Sequence, residues 1–406
     1  MDVMTEHSVV PKLRFGEFKD DWNNHLLDDI ATFLKGKGIS KSELDDDGKT
    51  ECIRYGELYV YYNELIDEVK SKTNLENLVL SNANDVIIPA SGETQLDIAT
   101  ASCVLRSGIA LGGDLNVIRT ENNGLFLSYY LNSKKKFEIA RLSQGSSVVH
   151  LYASQLKTLN LNLPSISEQQ KIASFLSAVD EKLQQLTKKK ELLEAYKKGV
   201  MQKIFSQELR FKDDNGNNYP NWDEKKLGEV CDVTVGGTPS TTKKEYWDGD
   251  IGWISSGGLN NGNVTQPSKL ITKLGLDNSS AKMMSENTVM LAMTGATLGR
   301  IGYLKFNSSA NQSVAGFLPN ETYNSKYLFY TLQHGVNQVF KYSGGAAQQG
   351  INKQSILNLK YAFPSIDEQH KIANFLSSLD SKIDLVSTQI ENTKAFKKGL
   401  LQQMFV

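Results

Sequence analysis

One segment of this 406-residue chain occurs twice, and the repeat constrains the fold more than any other feature. The stretch PSISEQQKIASFL begins at Pro164 and returns as PSIDEQHKIANFL at Pro364. Residues 164–205 align with residues 364–405 without a gap, and 20 of the 42 aligned positions are identical. Self-similarity at one fixed spacing is the mark of an internal repeat. The sequence therefore predicts a tandem duplication of a unit of about 200 residues.

Each copy of the segment has the pattern of a long helix. A serine followed three positions later by a glutamate forms a capping box, as at Ser165 and Ser365. Apolar residues then recur at alternating steps of four and three, which predicts coiled-coil pairing. These residues are Ile172, Leu176, Val179, Leu183, Leu186, Leu193, Val200 and Ile204, and in the second copy Ile372, Leu376, Leu379, Ile383, Val386, Ile390, Leu400 and Met404. The first stripe is interrupted by Lys190 and Lys197, and the second by Thr393 and Lys397.

The order of segments along the chain favours antiparallel pairing of the two helices. In an antiparallel pair, the end of the first helix and the start of the second lie at the same end of the rod. The region between the helices can then connect the two without spanning the length of the rod. A parallel pair would force that region to carry the chain back along about 60 Å of helix. We therefore expect a pseudo-twofold arrangement with the two variable regions at opposite ends of a rod.

The regions outside the helices share landmarks but differ in detail. A glycine-rich turn at residues 36–41 corresponds to residues 236–241, and an apolar strand that runs into a polar turn at residues 86–92 corresponds to residues 289–295. We predict an α+β fold with mixed α/β domains at residues 1–163 and 207–363, and long helices at residues 164–206 and 364–406. Because the helices stayed similar while the domains diverged, the domains are expected to bind different targets.

Composition excludes several broad classes of protein. The formal net charge of −1 excludes a strongly basic chain, so any nucleic-acid binding must come from local patches. We expect a cytoplasmic protein, since the start resembles no signal peptide and no run approaches the ~18 apolar residues that span a bilayer. Cys52, Cys103 and Cys231 are odd in number and far apart, which argues against a disulfide framework or a paired-cysteine metal knuckle.

The domain sequences resemble those of one known family. GGTPSTTKKEYWDGDIGWISS, followed by LAMTGATLGRIGYL and ANQSVAGF, is similar to a target recognition domain of the specificity subunit of type I restriction-modification systems. GKGISKSEL with IRYGELYVYY is similar to another, and the paired helices resemble the central repeats of that family. The first domain departs from the second by having SGETQLDIAT in place of TGATLGRIGY.

The resemblance implies a subunit that supplies sequence specificity without catalysis. Each target recognition domain would read one half of an asymmetric bipartite target in double-stranded DNA, and the coiled-coil helices would set the spacer. The same helices would dock two methyltransferase subunits, through which restriction subunits join. S-adenosylmethionine, ATP and Mg²⁺ are then expected on the partner subunits, and no cofactor on this chain.

The residues themselves agree with a chain that lacks a catalytic site. An adenine methyltransferase of this class needs two consecutive prolines after an Asn or Asp, and no proline here precedes another. No GxxxxGK[ST] phosphate loop occurs. The five histidines, namely His7, His25, His150, His334 and His370, form no spaced cluster typical of a zinc site. We predict neither catalytic nor metal-binding residues.

Loop residues that could contact DNA are the remaining candidates. Lysines and hydroxyls on glycine turns suit phosphate oxygens, whereas Arg, Asn and Gln suit base edges. The candidates are Lys35, Lys37, Ser40, Lys41, Arg54, Arg106 and Gln144 in the first domain, and Thr238, Ser240, Thr241, Lys243, Lys244, Arg300, Asn311, Gln348, Gln349 and Asn352 in the second. Each residue also fits a purely structural or solvated role. A stand-alone DNA-modifying enzyme and a coiled-coil protein–protein adaptor are the alternative functions.

Overall fold

A computed structural model describes residues 9–343 and 350–406 of the chain. Its contacts divide the chain into two compact units. Unit 1 comprises the part of the chain before Lys188 together with the part after Ser387, and unit 2 comprises Lys188–Ser387. Both divisions fall inside the long helices. Each unit therefore contains the first part of one long helix and the last part of the other.

Unit 1 is built on a mixed sheet with short helices and ends in a long helix. Its strands are β1 Asn23–Leu26, β2 Ala31–Lys35, β3 Thr50–Ile53, β4 Leu65–Ile66, β5 Ser71–Thr73, β6 Asp85–Pro89, β7 Ser91–Gly92, β8 Ser102–Val104, β9 Ala110–Leu111, β10 Leu115–Thr120, β11 Val149–His150 and β12 Asn160–Leu163. Its helices are α1 Leu27–Ile30, α2 Gln95–Ile98, α3 Gly124–Ser133, α4 Lys136–Leu142, α5 Ala153–Leu156 and the long α6 Ile166–Phe205, which continues into unit 2.

Unit 2 repeats this plan. Its strands are β13 Asp223–Lys226, β14 Asp232–Val235, β15 Trp247–Ile254, β16 Gly262–Val264, β17 Lys269–Ile271, β18 Met283–Met284, β19 Val289–Ala292, β20 Ile301–Leu304, β21 Ser308–Ala310, β22 Val314–Leu318 and β23 Lys360–Phe363. Its helices are α7 Leu227–Val230, α8 Lys273–Asp277, α9 Ser325–His334, α10 Asn337–Tyr342, α11 Lys353–Leu357 and the long α12 Ile366–Gln403, whose end belongs to unit 1.

The largest sheet has the same strand order in both units. Within the described residues the order is β2-β10-β6-β8-β4 in unit 1 and β14-β22-β19-β20-β16 in unit 2. Strands β6 and β19 lie inside these sheets, and every one of their residues is buried. Such strands read as short continuous apolar runs, which is the pattern of VIIP and VMLA in the sequence. The predicted α+β duplication is confirmed.

Matching aromatic clusters lie against the last turn of a long helix in each unit. In unit 1, Phe405 packs on Trp22, Phe126 and Tyr130, with ring centroids 5.4 to 6.5 Å apart. In unit 2, Phe205 packs on the corresponding Trp222 and Tyr327 at 6.4 and 5.9 Å, and its third neighbour is His334 at 4.9 Å. The spacing of about 200 residues between equivalent rings shows that the core was duplicated together with the helices.

The predicted antiparallel pairing of the long helices is present within each unit. In unit 1, the Leu13 N–H donates to the Gln403 carbonyl, and the neighbouring Arg14 bonds Glu168 near the start of α6. Further along α6, Asp180 bonds Lys397. Residue numbers thus rise along α6 as they fall along α12. Unit 2 repeats the arrangement, with Arg210 on Glu368 and Lys197 on Asp380.

The capping glutamates have a different role from the one predicted. Ser165 and Ser365 each accept a hydrogen bond from the N–H three residues on, at 3.4 and 3.5 Å. The carboxylate of Glu168, however, accepts two hydrogen bonds of 2.7 Å from Arg14, and that of Glu368 is bound by Arg210. A bidentate guanidinium is a stronger donor to a carboxylate than a backbone N–H, so the glutamates face the arginines instead of the helix start.

Candidate nucleic-acid interface

Four loops meet at one end of the large sheet in unit 1. The end of β2 lies beside the start of β10, and the start of β10 beside the end of β6, because Lys35 pairs with Asn116 and Leu115 with Pro89. The Ala90 N–H donates to the Asp114 carbonyl, and the Leu151 N–H donates to the Ala90 carbonyl. We call this surface the loop face of unit 1 and define it as residues 36–41, 90–94, 112–114 and 144–150.

The same four loops meet at the equivalent end of the sheet in unit 2. Val235 pairs with Ala315 and Ala292 with Val314. The Met293 N–H donates to the Ser313 carbonyl, and the Ile351 N–H donates to the Met293 carbonyl, both at 2.8 Å. The loop face of unit 2 consists of residues 236–244, 293–300, 311–313 and 350–352. Equivalent loops therefore stand at equivalent strand ends in the two units.

The glycine turns that open each loop face are needed for close backbone contact. A Cβ on Gly36 would stand 1.9 Å from the Gly112 carbonyl oxygen, and one on Gly236 would stand 2.2 Å from the Ala310 carbonyl oxygen. A side chain at either position would push the turn away from its neighbouring loop. The sequence signal at residues 36–41 and 236–241 thus marks positions where only glycine fits.

Most candidates of the first domain lie on or beside this surface. Lys35 ends β2, and Lys37, Ser40, Lys41 and Gln144 lie on the loop face, all of them exposed. The ammonium group of Lys37 donates to the Asn77 carbonyl, and the Ser40 N–H donates to Glu43.

Two arginine candidates of the first domain have contrasting positions. Arg54 lies beside residue 112, since the Gly112 N–H donates to the Ile53 carbonyl. Arg106 follows the end of β8, where Val104 pairs with Asp85 at the start of β6, and this is the end of the sheet opposite the loop face. There Arg106 bonds Glu51 at 2.8 Å and donates to the Asp67 carbonyl. The structure therefore separates Arg106 from the other candidates.

The described candidates of the second domain are brought together more completely. Lysines and hydroxyls follow Gly237, Arg300 precedes β20, and Asn311 precedes β22. The Thr238 hydroxyl donates to Gln312, and Lys243 donates to the Tyr246 hydroxyl, which raises the pKa of Lys243. The exposed side chains of this group are Ser240, Thr241, Lys243, Lys244 and Arg300.

Two asparagines at this surface also have local structural bonds. Asn311 accepts a hydrogen bond from the Ser313 N–H, and Asn352 accepts one from the Ser355 N–H at the start of α11. Gln348 and Gln349 lie outside the described residues.

Several residues at the loop faces carried no clear sequence signal. Gln312 accepts the hydrogen bond from Thr238, and its position next to Asn311 is the clue that could have identified it. In unit 1, Ser91 bonds the His150 ring at 3.2 Å, and Tyr152 stacks on that ring at 6.2 Å with 54% of its own surface exposed. Strands β7 and β11 bring these residues together, and no local pattern predicts that pairing.

The two units differ in charge. Unit 1 carries 22 Lys and Arg residues against 27 Asp and Glu residues, whereas unit 2 carries 23 against 19. Acidic residues lie on or near the first loop face, including Asp114 and Glu93, while Lys243, Lys244 and Arg300 make the second basic. A polyanion is therefore attracted more strongly to unit 2.

The structure also shows the arrangement of possible metal ligands, the state of the cysteines and the character of the helices. In the described ranges, no group of three His, Cys, Asp or Glu residues is placed to hold a metal ion. The three cysteines are buried and free, and burial raises the pKa of the thiols to about 11 for Cys52 and about 12 for Cys103 and Cys231. No helix among the described residues is both long and apolar enough to cross a bilayer.

A family model described as the type I restriction modification DNA specificity domain matches the chain twice, at residues 19–195 and 219–394. The chain belongs to this family. The two matched ranges correspond to the two copies of the duplicated unit. As type I DNA specificity domains, they give the chain a role in DNA sequence recognition, within a multisubunit complex whose specificity subunit is not the catalyst.

Individual relatives agree with the family. The type I restriction enzyme MjaIX specificity subunit of Methanocaldococcus jannaschii is 29% identical over a match that covers 50% of this chain and 48% of that relative. The putative type I restriction enzyme MjaX specificity subunit of the same organism is 23% identical, and the match covers 96% of this chain and 94% of that relative. The crystal structure of the type I S subunit from M. genitalium shares the fold, with a TM-score of 0.67 at 16% identity over 98% of this chain and 99% of that one.

Proposed function

We propose that the two loop faces read the two halves of one split DNA target. The observation that carries this proposal is that the same four loops stand at the same sheet end in both units, with different side chains on them. Equivalent position and unlike chemistry are what two readers of different sequences require. We place the boundaries of the target recognition domains at residues 163 and 363, just before the long helices begin.

The basic and hydroxyl side chains support phosphate contact around each half-site. Lys37 and Lys41 in unit 1 and Lys243 and Lys244 in unit 2 are exposed beside glycine turns. Phosphate contacts orient a protein on DNA, while base-edge contacts specify the sequence. Arg54 and Arg300 are the candidates for base edges, where a guanidinium can bind guanine with two hydrogen bonds.

The long helices are proposed to set the spacer and to dock two methyltransferase subunits, one for each repeat. Aromatic side chains at equivalent positions support two equivalent docking sites, since Tyr196 in unit 2 and Phe396 in unit 1 are each 54% exposed on their helix. Exposed aromatic residues are the usual anchors of protein interfaces. Restriction subunits would join through the methyltransferase subunits.

The cofactors of the complex are proposed to bind the partners. S-adenosylmethionine would bind the methyltransferase subunits, and ATP and Mg²⁺ would be used by the wider complex. The complex would work in the cytoplasm, because its target is cellular DNA.

The proposal is tested by selecting DNA with the assembled complex. The chain is co-purified with its methyltransferase subunit, its stoichiometry is measured by native mass spectrometry, and a random DNA library is selected on it. We expect one chain with two methyltransferase subunits and a target of two specified halves, centred about one helical turn, roughly 10 base pairs, apart. Selection of one contiguous motif of four to six base pairs would refute the split target.

A further inference from the structure

Arg54 lies at the border of the loop face in unit 1. Strand β3 pairs with β9 so that Ile53 lies opposite Leu111, and the next residue, Gly112, donates its N–H to the Ile53 carbonyl at 2.8 Å. The backbones are so close there that a Cβ on Gly112 would stand 3.3 Å from the Arg54 Cα. Arg54 therefore emerges directly beside residues 112–114 of the loop face.

One donor of the Arg54 guanidinium has no acceptor among the described residues. Its Nε atom is buried and makes no hydrogen bond within the described part of the chain. Three other arginines of unit 1 each bind a carboxylate at 2.7 to 2.8 Å, namely Arg14, Arg106 and Arg119. A buried donor without an acceptor costs folding free energy, so a free donor at a predicted binding surface calls for a ligand.

A buried carboxylate, that of Glu57, binds the backbone N–H of Arg54 and not its Nε. Glu57 is 4% exposed and accepts one hydrogen bond from the Arg54 N–H at 2.9 Å and another from the Ser71 hydroxyl. The main chain of Arg54 is thus fixed, and its half-buried stem has little freedom. A fixed stem suits a directional contact that requires two parallel hydrogen bonds.

Unit 2 has a different residue at the equivalent place. The segment IRYGEL at residues 53–58 corresponds to ISSGGL at residues 254–259. Ile254 pairs with Ala310, and the Asn311 N–H donates to the Ile254 carbonyl, as Gly112 does to Ile53. Ser255 therefore occupies the place of Arg54, and Ser268 satisfies both its N–H and its hydroxyl at 3.1 Å.

We propose that Arg54 reads a guanine in the half-site bound by unit 1, through hydrogen bonds to O6 and N7 of that base. This inference rests on the proposed function, which requires that the loop face of unit 1 contacts DNA. Guanine O6 and N7 are two acceptors that match the planar fork of a guanidinium held in one place. A phosphate matches the same fork, and the experiment below separates the two, because only a base contact depends on the sequence. Unit 2 cannot read a guanine in this way, since Ser255 lacks the fork.

The test uses Arg54→Ser, which introduces the residue that the same backbone carries in unit 2, and Arg54→Lys, which keeps the charge but not the fork. Arg106→Ser is the matched control, because Arg106 is also an arginine of unit 1 but lies away from the loop face. Each variant is assembled with the methyltransferase subunit and competed against a library in which every position of both half-sites is varied. Thermal unfolding confirms that each variant is folded.

We expect Arg54→Ser and Arg54→Lys to lose about 5- to 150-fold of discrimination at one G·C base pair of the unit 1 half-site. Discrimination at all other positions should persist, and Arg106→Ser should resemble the wild type. Equal weakening on every sequence would show a phosphate contact and overturn the proposal, as would unchanged discrimination in the lysine variant. A wild-type complex that selects no split target would instead refute the proposed function.

Discussion

At the scale of single residues, the lysines that interrupt the apolar stripes form ion pairs. Lys197 binds Asp380 in unit 2, and Lys397 binds both Asp180 and Glu64 in unit 1, at 2.8 and 3.1 Å. All five side chains are mostly buried, with exposures of 15 to 28%. Burial lowers the pKa of Lys397, but Glu64 and Asp180 together outweigh burial and raise it.

Removing Lys397 should destabilise unit 1 more than removing Lys197 destabilises unit 2. Lys397→Met leaves two neighbouring carboxylates without their cation, whereas Lys197→Met leaves one. We expect a loss of about 1–3 kcal/mol for Lys397→Met, or roughly 2–10 °C in melting temperature, and less for Lys197→Met. Differential scanning calorimetry of the two variants and the wild type measures the difference.

The dependence on pH gives a second readout of the same pair. Because the folded-state pKa of Lys397 is raised, its contribution to stability is complete below the unfolded pKa of about 10.4 and is lost as the pH rises through the folded value. The difference between wild type and Lys397→Met should be constant from about pH 7 to 9 and shrink toward pH 11. A difference that grows with pH would contradict the assignment.

At the scale of elements, the long helices were predictable and the loop faces were not. The helices have a local signal, since the stripe from Ile172 to Ile204 repeats every three or four residues and most of its members are buried. The loop faces depend on strands far apart in sequence, such as β2 and β10, whose partners Lys35 and Asn116 are separated by about half of the domain. Register between distant strands is set by tertiary packing, which no local pattern encodes.

The candidate DNA-contacting residues also divide into those with a local sequence signal and those that only the fold can distinguish. Glycine turns have a local signature, so the lysines and hydroxyls at residues 37–41 and 238–244 were found from the sequence. Arg54 and Arg106 are both arginines near a strand end, and only the fold shows that Arg106 is paired with Glu51 while Arg54 is free of carboxylates among the described residues.

Changing the length of both helices should change the spacer and leave the half-sites unaltered. One heptad inserted after Leu186 and one after Val386 keeps the apolar period of each helix. We expect the selected DNA target of the assembled complex to retain both half-sites with a different number of base pairs between them. A two-residue insertion in one helix is the control, because at about 100° per residue it turns the apolar stripe away from its partner and should prevent assembly. An unchanged spacer, or a change in the specified bases, would contradict a role for the helices as the spacer.

At the scale of the whole molecule, the charge difference between the units predicts unequal contributions to salt-dependent DNA binding. Each phosphate contact that is lost should lower the magnitude of the slope of log K against log salt by about 1. We expect the double variant Lys243→Gln, Lys244→Gln in unit 2 to lower the magnitude of this slope by about 2, for specific and non-specific DNA alike. Fluorescence anisotropy of the assembled complex at several salt concentrations measures the slope.

A matched control for this measurement lies on the sheet formed by β13 and β23. Lys225→Gln with Lys360→Gln removes the same charge from unit 2 at strands outside the loop face. Its slope should equal that of the wild type. Equal slopes for both double variants would show that the basic residues beyond Gly237 make no phosphate contact.

A map of methylated adenines in a genome tests most directly whether the two units read different DNA sequences. The chain is co-expressed with its methyltransferase subunit in a host that lacks adenine methylation, and single-molecule sequencing locates every modified base. We expect one target made of two different specified halves, separated by a spacer of fixed length and unspecified sequence. Methylation at a single uninterrupted motif, or at two identical halves, would contradict the claim that the two units read different sequences.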